Sequence, residues 1–453
     1  MSNSHWVVES ALGETGDALS KPPPAEGSGP TPAISARIPV GRVPSRGIGL
    51  GFESTSGRSW FSGMVWIWVM SLVSVVMADN IQLQPMTNIL SGSTNLNVGS
   101  YAIPCVTDWN GDGKKDLLIG YQTNSMIRVY TNAGTDAKPV FTTYYDLTAD
   151  GTNKIQYPCG GCGAPAPWVC DYDGDGKRDL LVGDGAHGTV FFYRNTNTDA
   201  NPKLVLNRQL KAGGTNLTVG IRATPYVCDW DGDGLTDLLC GDGDGYVTFF
   251  KNINTNTQAG QVPVYTNGVR IQAGGVDLNL GIRSMVRVFD WDGDGLKDLI
   301  CSSDTGIYWC RNTNSNQQPI LQAKAFLQVP STNGQLVNIT SSLSSSTRLR
   351  LDLVDWNNDG VMDLIYGNSS GNVFYNEGYN FRIRLTPQTN HTIALQWDSA
   401  PFLKYNVLAY DCLDGIPCPA VTNLPSEGKT TTWTNQMQGG QQFFRVQIVT
   451  NSP

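Results

Sequence analysis

From residue 79 onward, apolar positions come in short runs, some alternating with polar residues and some briefly continuous, and Gly, Asn, Asp and Thr break them at close intervals. Runs of that length bounded by turn residues predict strands and tight turns rather than helices. One pattern recurs. An apolar strand such as 223–228 enters an Asp-rich loop, a second strand such as 238–240 leaves it, and a Gly/Asp turn at 241–245 reverses the chain into 246–250; a fourth strand at 264–271 then leads to a Gly-Gly turn. The Asp loops begin at Asp108, Asp171, Asp229, Asp290 and Asp355, at separations of 63, 58, 61 and 65 residues. Such a period is too long for one helical hairpin and fits a four-stranded blade, so the expected fold is all-β, a five-bladed β-propeller over 79–380.

The ends of this region predict how the ring closes. After the fifth loop, 363–375 supplies only an inner hairpin, and no outer strand precedes Phe381, whereas 81–98 forms an outer strand with no blade of its own. Pairing the two removes both exposed sheet edges. Beyond the ring, 381–385, 392–397, 405–410, 430–433 and 443–449 read as short alternating strands, with Trp397 placed to pack a core. They suit a small β-sandwich at 381–453 that is similar to a shortened fibronectin type III domain.

The loops share the spacing D-x-[DN]-x-D-G-x-x-D. Side-chain oxygens fall at position 1 (Asp108, Asp171, Asp229, Asp290, Asp355), position 3 (Asn110, Asp173, Asp231, Asp292, Asn357), position 5 (Asp112, Asp175, Asp233, Asp294, Asp359) and position 9 (Asp116, Asp179, Asp237, Asp298, Asp363). Oxygen-only ligands in a flexible loop suit Ca²⁺, and the Cys and His that Zn²⁺ prefers are absent from them. Position 7 is Lys114, Lys177, Leu235, Leu296 or Val361. Such indifference to the side chain is what a backbone-carbonyl ligand would give. The loop is not an EF-hand, which needs a bidentate Glu at position 12, where this chain has Ile119, Val182, Cys240, Cys301 or Tyr366. The closing carboxylate is instead the Asp at position 9, where the chain is already entering a strand. About five structural Ca²⁺ ions are therefore expected, the weakest in the first and fifth loops, where Asn110 and Asn357 replace a carboxylate. Five ions would add ten charges to a formal net charge of −8 and leave about +2.

Composition narrows the chemistry further. Only 15% of the 453 residues are charged and the basic ones are not clustered, which excludes the footprint of a nucleic-acid binder. Asp outnumbers Glu by 33 to 6, and none of the six Glu lies between Asp79 and Asn376. A glycosidase site needs a pair of carboxylates with one kept protonated, commonly a Glu. Three histidines, His5, His187 and His391, nearly exclude histidine catalysis, and Asp184, Asp242 and His187 fall in hairpin turns. The expectation is therefore that the chain is not an enzyme.

Residues 1–59 lack periodic hydrophobicity and carry a Pro-rich run, and are expected to be a disordered extension. Residues 60–78 are nineteen in number, without a charge, and end Val76-Met77-Ala78. They read as a secretory signal cleaved after Ala78, or as an anchor that stays in the membrane, the only membrane attachment expected. Cys240 and Cys301 occupy equivalent strand positions and read as buried thiols. Cys412 and Cys418 flank a short loop and could pair, and Cys159 and Cys162 have CxxC spacing without the βαβ context of a redox motif. The sequons at Asn216, Asn338, Asn368 and Asn390 are no more than so Asn-rich a chain produces by chance.

With these residues in hand, the chain resembles FG-GAP or VCBS-type repeat proteins over roughly 79–377, the five Asp loops being the specific part. Gly163-Ala164-Pro165 matches the second half of the family's name, and no Phe-Gly pair precedes it. The resemblance implies calcium in the loops and adhesion or ligand binding on the propeller, outside the cytoplasm. Two kinds of partner stay open. A glycan would meet aromatic pockets between blades, for which Trp168, Tyr226 and Trp309 are available, although core packing is the plainer role for them. The other is an extracellular protein or a second copy, through the Asn/Thr-rich outer loops.

Overall fold

The computed structural model describes residues 8–10, 81–150, 153–155, 163–256, 258–388, 392–410, 418–436 and 442–449. The fold is all-β: the described residues hold strands, turns and bends and no helix. The segment 60–78 lies outside them, as do Cys159, Cys162, Cys412 and Asn390.

Five sheets follow in chain order, antiparallel except where Thr148–Ala149 joins the second in parallel. The first holds Ile103–Thr107, Asp116–Tyr121, Met126–Tyr130 and Tyr144–Asp146. The second holds Ala166–Cys170, Asp179–Gly183, Val190–Asn195 and Leu204–Gln209, with Thr148–Ala149 and Asn153–Lys154 added at its outer edge. The third runs Thr224–Cys228, Asp237–Gly241, Val247–Phe250 and Val269–Arg270, and the fourth Met285–Phe289, Asp298–Ser302, Ile307–Cys310 and Ala325–Phe326. The fifth takes Arg350–Val354, Asp363–Gly367 and Val373–Asn376 from one end of the region and its outer strand, Thr87–Asn88, from the other. Thr87 lies opposite Tyr375 and Asn88 opposite Phe374, so the closing pair expected from the sequence is formed. Outer strands are shorter than expected, two residues in the third sheet where eight were read, because Asn and Gly interrupt the ladder there.

The first strands of the five sheets adjoin in cyclic order, and that of the fifth returns to lie beside that of the first. Every second strand is buried along its whole length and reads as a continuous apolar run, the pattern of a strand covered on both faces. Its residues alternate between two neighbours. Leu238 and Cys240 join Leu181 and Phe192 of the second sheet, while Leu239 joins Leu299 and Cys301 of the fourth. One such apolar cluster lies between each adjacent pair of sheets. Each fully buried Leu contributes about 2 kcal/mol relative to exposure.

The junctions repeat as well. The residue before each first strand donates its N–H to the hairpin turn of the preceding sheet: Ala223 to Asp184 O, Ser284 to Asp242 O, Leu349 to Ser303 O and Ala102 to Asn368 O. The corresponding residue of the second sheet is Pro165, which has no N–H to give. The approach is close enough that a Cβ on Gly183 would lie 2.0 Å from Ala223 O, so only glycine serves there.

At the middle of the first strands, Cys105, Trp168, Tyr226, Arg287 and Asp352 meet on the axis. Arg287 Nε donates to Asp352 Oδ1 at 2.6 Å, both residues are almost wholly buried, and the guanidinium lies 4.6 Å from the Trp168 ring and 5.1 Å from that of Tyr226. Asp352 Oδ2 accepts from Val106 N–H at 2.7 Å, tying the fifth sheet to the first. Burial, with Asp352 nearby, pushes the Cys105 thiol up to about 12.

The C-terminal strands form two sheets, Ile383–Pro387, Thr392–Asp398 and Thr430–Gln436 in one, Lys404–Tyr410, Cys418–Pro425 and Gln442–Ile448 in the other. Both pack on one cluster around Trp397, Leu395, Tyr405 and Phe444. Cys418–Pro425 is a strand that the sequence reading left as loop; its prolines and the register shifts opposite Val407 suit an edge. Of residues 1–59 only Val8–Ser10 is described, a strand against Gln442–Ile448 where disorder had been expected. Asn368, one of the sequons, is wholly buried and its amide donates to Ser344 O.

Candidate functional site

Each Asp loop joins a first strand to a second, and all five fold alike. The position 1 carboxylate accepts two backbone N–H groups from positions 5 and 6: Asp171 from Asp175 at 3.0 Å and Gly176 at 2.8 Å, and Asp290 from Asp294 at 3.0 Å and Gly295 at 2.7 Å. The same pair is made by Asp108, Asp229 and Asp355. Glycine at position 6 has positive φ throughout, 82° to 87°, which an L side chain rarely tolerates.

Position 9 is the first residue of the second strand in every case. Its carboxylate spans the loop, accepting from the backbone at position 2 and from the backbone just past the third strand. Asp179 receives Tyr172 N–H at 3.1 Å and Asn195 N–H at 2.7 Å, and Asp237 receives those of Trp230 and Asn252 at 3.0 and 2.8 Å. All five are fully buried. Burial, only partly offset by these bonds, pushes Asp179 and Asp363 up to about 7, Asp237 and Asp298 up to about 6, and Asp116 in the same direction.

Carboxylates converge in loops two to four. Oxygens of Asp171, Asp173 and Asp179, of Asp229, Asp231 and Asp237, and of Asp290, Asp292 and Asp294 each lie within 4.8 Å of one another. At position 3 of the same loops, one oxygen of Asp173, Asp231 and Asp292 is buried without a hydrogen-bond donor. A buried carboxylate oxygen left bare among other carboxylates is costly unless a cation meets it. The donor set is all oxygen, so the residues fit a hard divalent cation. Position 7 side chains lie outside these clusters, although Lys177 Nζ comes within 3.5 Å of Asp175.

The other position 3 oxygen is held by a residue that the loop spacing does not reveal. Arg194 reaches Asp173 at 2.8 Å and Asp175 at 2.9 Å, Lys251 pairs with Asp231 and Asp233, and Arg311 with Asp292 and Asp294. Each precedes the residue whose N–H caps position 9, and at that place the first and fifth repeats have Thr131 and Glu377. Loops with Asp at position 3 carry a basic residue at this place and loops with Asn do not, although Arg178 reaches Asp108 of the first loop at 3.3 Å. The Glu-free stretch therefore ends at the fifth loop: Glu377 Oε1 lies 3.5 Å from Asn357 Nδ2 and both its oxygens lie 2.6 Å from Lys429 of the C-terminal sheets. The residue before each capping position, Asn in four repeats and Gly378 in the fifth, is the sequence signal for this set.

The remaining singled-out residues have structural partners. Trp168 and Tyr226 pack edge to face at 4.6 Å on the axis, and Trp309 Nε1 donates to Asp298 at 2.9 Å. Asp184 and Asp242 accept N–H groups of their own turns, and His187 Nδ1 lies 2.7 Å from Asp184. Cys240 and Cys301 are buried thiols, as expected, and Cys418 is exposed.

Against known proteins, the FG-GAP-like repeat family matches residues 290–366, one period running from the fourth Asp loop through the fifth. Integrin alpha-4 of Xenopus laevis is 28% identical over 166 residues, 34% of this chain and 15% of the integrin, so the likeness spans a small part of that relative. Among solved structures, an exo-β-1,3-galactanase of Phanerochaete chrysosporium aligns over 80% of this chain and 96% of its own, at 9% identity and a TM-score of 0.37. A lectin of Agrocybe aegerita that recognises non-reducing terminal N-acetylglucosamine aligns over 78% and 98%, at 14% identity and a TM-score of 0.31. Likenesses this distant carry no inference about function.

Proposed function

We propose that this chain, an FG-GAP repeat protein, is a five-bladed, calcium-stabilised β-propeller with a small fibronectin-III-like sandwich, serving as a non-enzymatic recognition module outside the cytoplasm. The observation that carries the calcium reading is the bare, buried position 3 oxygen repeated in loops two to four. Side chains at positions 1, 3, 5 and 9, with the carbonyl at position 7, would hold the ion, and its charge would quiet the repulsion among them. An extracytoplasmic setting agrees with this, because millimolar calcium is found there and weak sites fill only at such levels. Partners are then a glycan or an extracellular protein. Recognition is favoured over catalysis because the acids of the ring are spent on loop and turn geometry.

Terbium titration tests the metal. Aromatic residues at position 2 (Trp109, Tyr172, Trp230, Trp291, Trp356) are buried beside the clusters, so sensitised terbium emission that calcium displaces is the expected result. Emission unchanged by Asp231→Asn and Asp292→Asn would place the ion elsewhere. Recognition is tested by screening the calcium-loaded protein on a broad glycan array with a chelated control. A blank array would remove the glycan and leave protein partners or self-association.

A further inference from the structure

The end of the ring opposite the Asp loops carries a cluster of the other sign. Two residues before the first strands stand Tyr101, Ala164, Arg222, Arg283 and Arg348, at equivalent places in the five repeats. Four of them, all but Ala164, hold left-handed φ of 51° to 65°, fixed in part by N–H donation to the preceding sheet, as from Tyr101 to Ser369 O and from Arg283 to Gly243 O, both at 3.1 Å. The side chains rim a small cup on the axis, of about 40 Å³ and open in part to solvent. Ile103, Ala166 and Met285 form its apolar floor, and Arg350, 6% exposed, stands in its wall. Below the floor the Arg287–Asp352 pair closes the axis, so the cup has a bottom.

Charge in the cup is unbalanced. Asp304 serves three arginines at once: Arg283 directly, Arg350 at 3.6 Å and Arg348 at 3.9 Å. Arg222 has no ion-pair or hydrogen-bond partner among the described residues. Four guanidinium groups thus face one carboxylate in a protein of net charge −8. Nearby acids do not redress this. Asp184 and Asp242 are spent on their own turns, Asp244 is exposed at a hairpin tip, and residues 156–162, outside the described set, contain no charged residue. Burial and the neighbouring guanidinium groups lower Arg222, and Arg350 to about 10, the mark of cations gathered without enough counter-charge.

We propose that this cup is a binding site for the acidic end of a saccharide, a carboxylate or sulfate held by Arg222, Arg283 and Arg348. This deepens the recognition reading and rests on it. Guanidinium forks bind carboxylates and tetrahedral oxyanions alike through paired hydrogen bonds, which favours such a ligand over a simple counter-ion. A cup with a bottom takes a chain end and not a chain passing through. The surroundings suit a sugar: hydroxyls of Ser100, Thr123, Ser346 and Ser369 stand in two hydrogen-bonded pairs on nearby turns, and Ile221 and Ile282 expose apolar surface beside the rim arginines.

The test is calorimetric titration of the full, calcium-loaded chain with oligogalacturonate, a sulfated oligosaccharide, a neutral oligosaccharide, inorganic phosphate and a poly-Glu peptide. Binding of an acidic oligosaccharide is expected, weakening with salt, absent for the neutral one, and reduced at least tenfold in Arg222→Ala and Arg348→Ala. Arg222→Lys keeps the charge and loses the fork, so it should fall between. Unchanged near-ultraviolet dichroism and terbium binding show that the variants are folded and that the loops are intact. Binding of the neutral sugar equally well, binding of the peptide or phosphate alone, retention in the double variant, or no binding would each overturn the proposal. If terbium binding survives while the cup is silent, the calcium reading stands without it.

Discussion

The two ends of the ring hold opposite charges, and they solve the problem of like charges in different ways. At the loop end each repeat gathers three or four Asp, and in loops two to four one of their oxygens is bare while Arg194, Lys251 or Arg311 reaches in as an internal counter-charge. At the cup end, Arg283, Arg348 and Arg350 share Asp304, and Arg222 has no partner among the described residues. Each first strand is five residues long, so on the order of 15 Å separates the ends. Between them Arg287 and Asp352 pair one to one, inside an aromatic layer, with Arg287 Nη2 left without an acceptor. Charges are matched in number where the chain buries them for structure, and unmatched where a ligand has room to balance them.

Withdrawing calcium should break this contrast most. At about 1 kcal/mol per weak extracellular site, five sites amount to about 5 kcal/mol, comparable with the whole stability of many domains. Chelation at neutral pH is expected to lower Tm steeply, and the loss should depend on pH in a fixed sense. Burial raises the position 9 carboxyls in the folded chain above the ordinary 3.8, to about 6 for Asp237 and Asp298 and about 7 for Asp179 and Asp363. Raised folded values mean that the calcium-free protein binds more protons than its unfolded chain, so its stability falls as pH rises from about 4 to about 7. Calcium needs the ionised form, so its stabilising increment grows over the same window. Melting curves across pH, with chelator and with millimolar calcium, check both slopes; an increment that shrank with rising pH would contradict the loop geometry.

Next comes the axis. Asp352→Ala leaves Arg287 buried and unpaired and frees Val106 N–H, and should cost about 3 to 5 kcal/mol. The loss should be the same with and without calcium, as read from denaturant unfolding, because the pair touches neither end. Lys251→Thr has a smaller and more selective effect. It gives the third loop the residue found in the first repeat, removes a cation held against Asp231 and Asp233, and should tighten calcium there about tenfold, about 1.4 kcal/mol. In chelator it should slightly destabilise the protein, since uncompensated carboxylates remain.

Much of the loop end was legible in the sequence because its chemistry is local. Asp171 and Asp179 are eight positions apart, and the loop's own N–H groups satisfy them. The four-stranded period, the closing strand near Thr87 and the core role of Trp397 came from the same short-range patterning. Lys251 and Glu377 escaped it, because they reach the loop from the end of the third strand, nearly twenty residues on. The cup escaped it wholly. Arg222, Arg283, Arg348 and Arg350 are scattered over more than a hundred residues, and the unclustered basic residues spoke only against a nucleic-acid footprint. Only the cyclic order of the sheets brings equivalent positions to one axis, so a charge imbalance invisible along the chain becomes local in space.

The smallest effect on stability should come from the cup, and its sign sharpens the contrast. Arg222 is half-buried, has no partner among the described residues and faces Arg283 and Arg348. Removing it relieves repulsion and loses only side-chain packing. Arg222→Ala should therefore change stability by no more than about 0.5 kcal/mol, and toward greater stability at low salt, because added salt screens the repulsion that the substitution relieves. Unfolding curves at low and high salt measure this. A loss of several kcal/mol would make Arg222 a structural member of the ring, and the imbalance in the cup would then be a packing necessity with nothing to bind. A neutral or stabilising outcome leaves the four guanidinium groups gathered against their own repulsion, a cost that only an incoming oxyanion would offset.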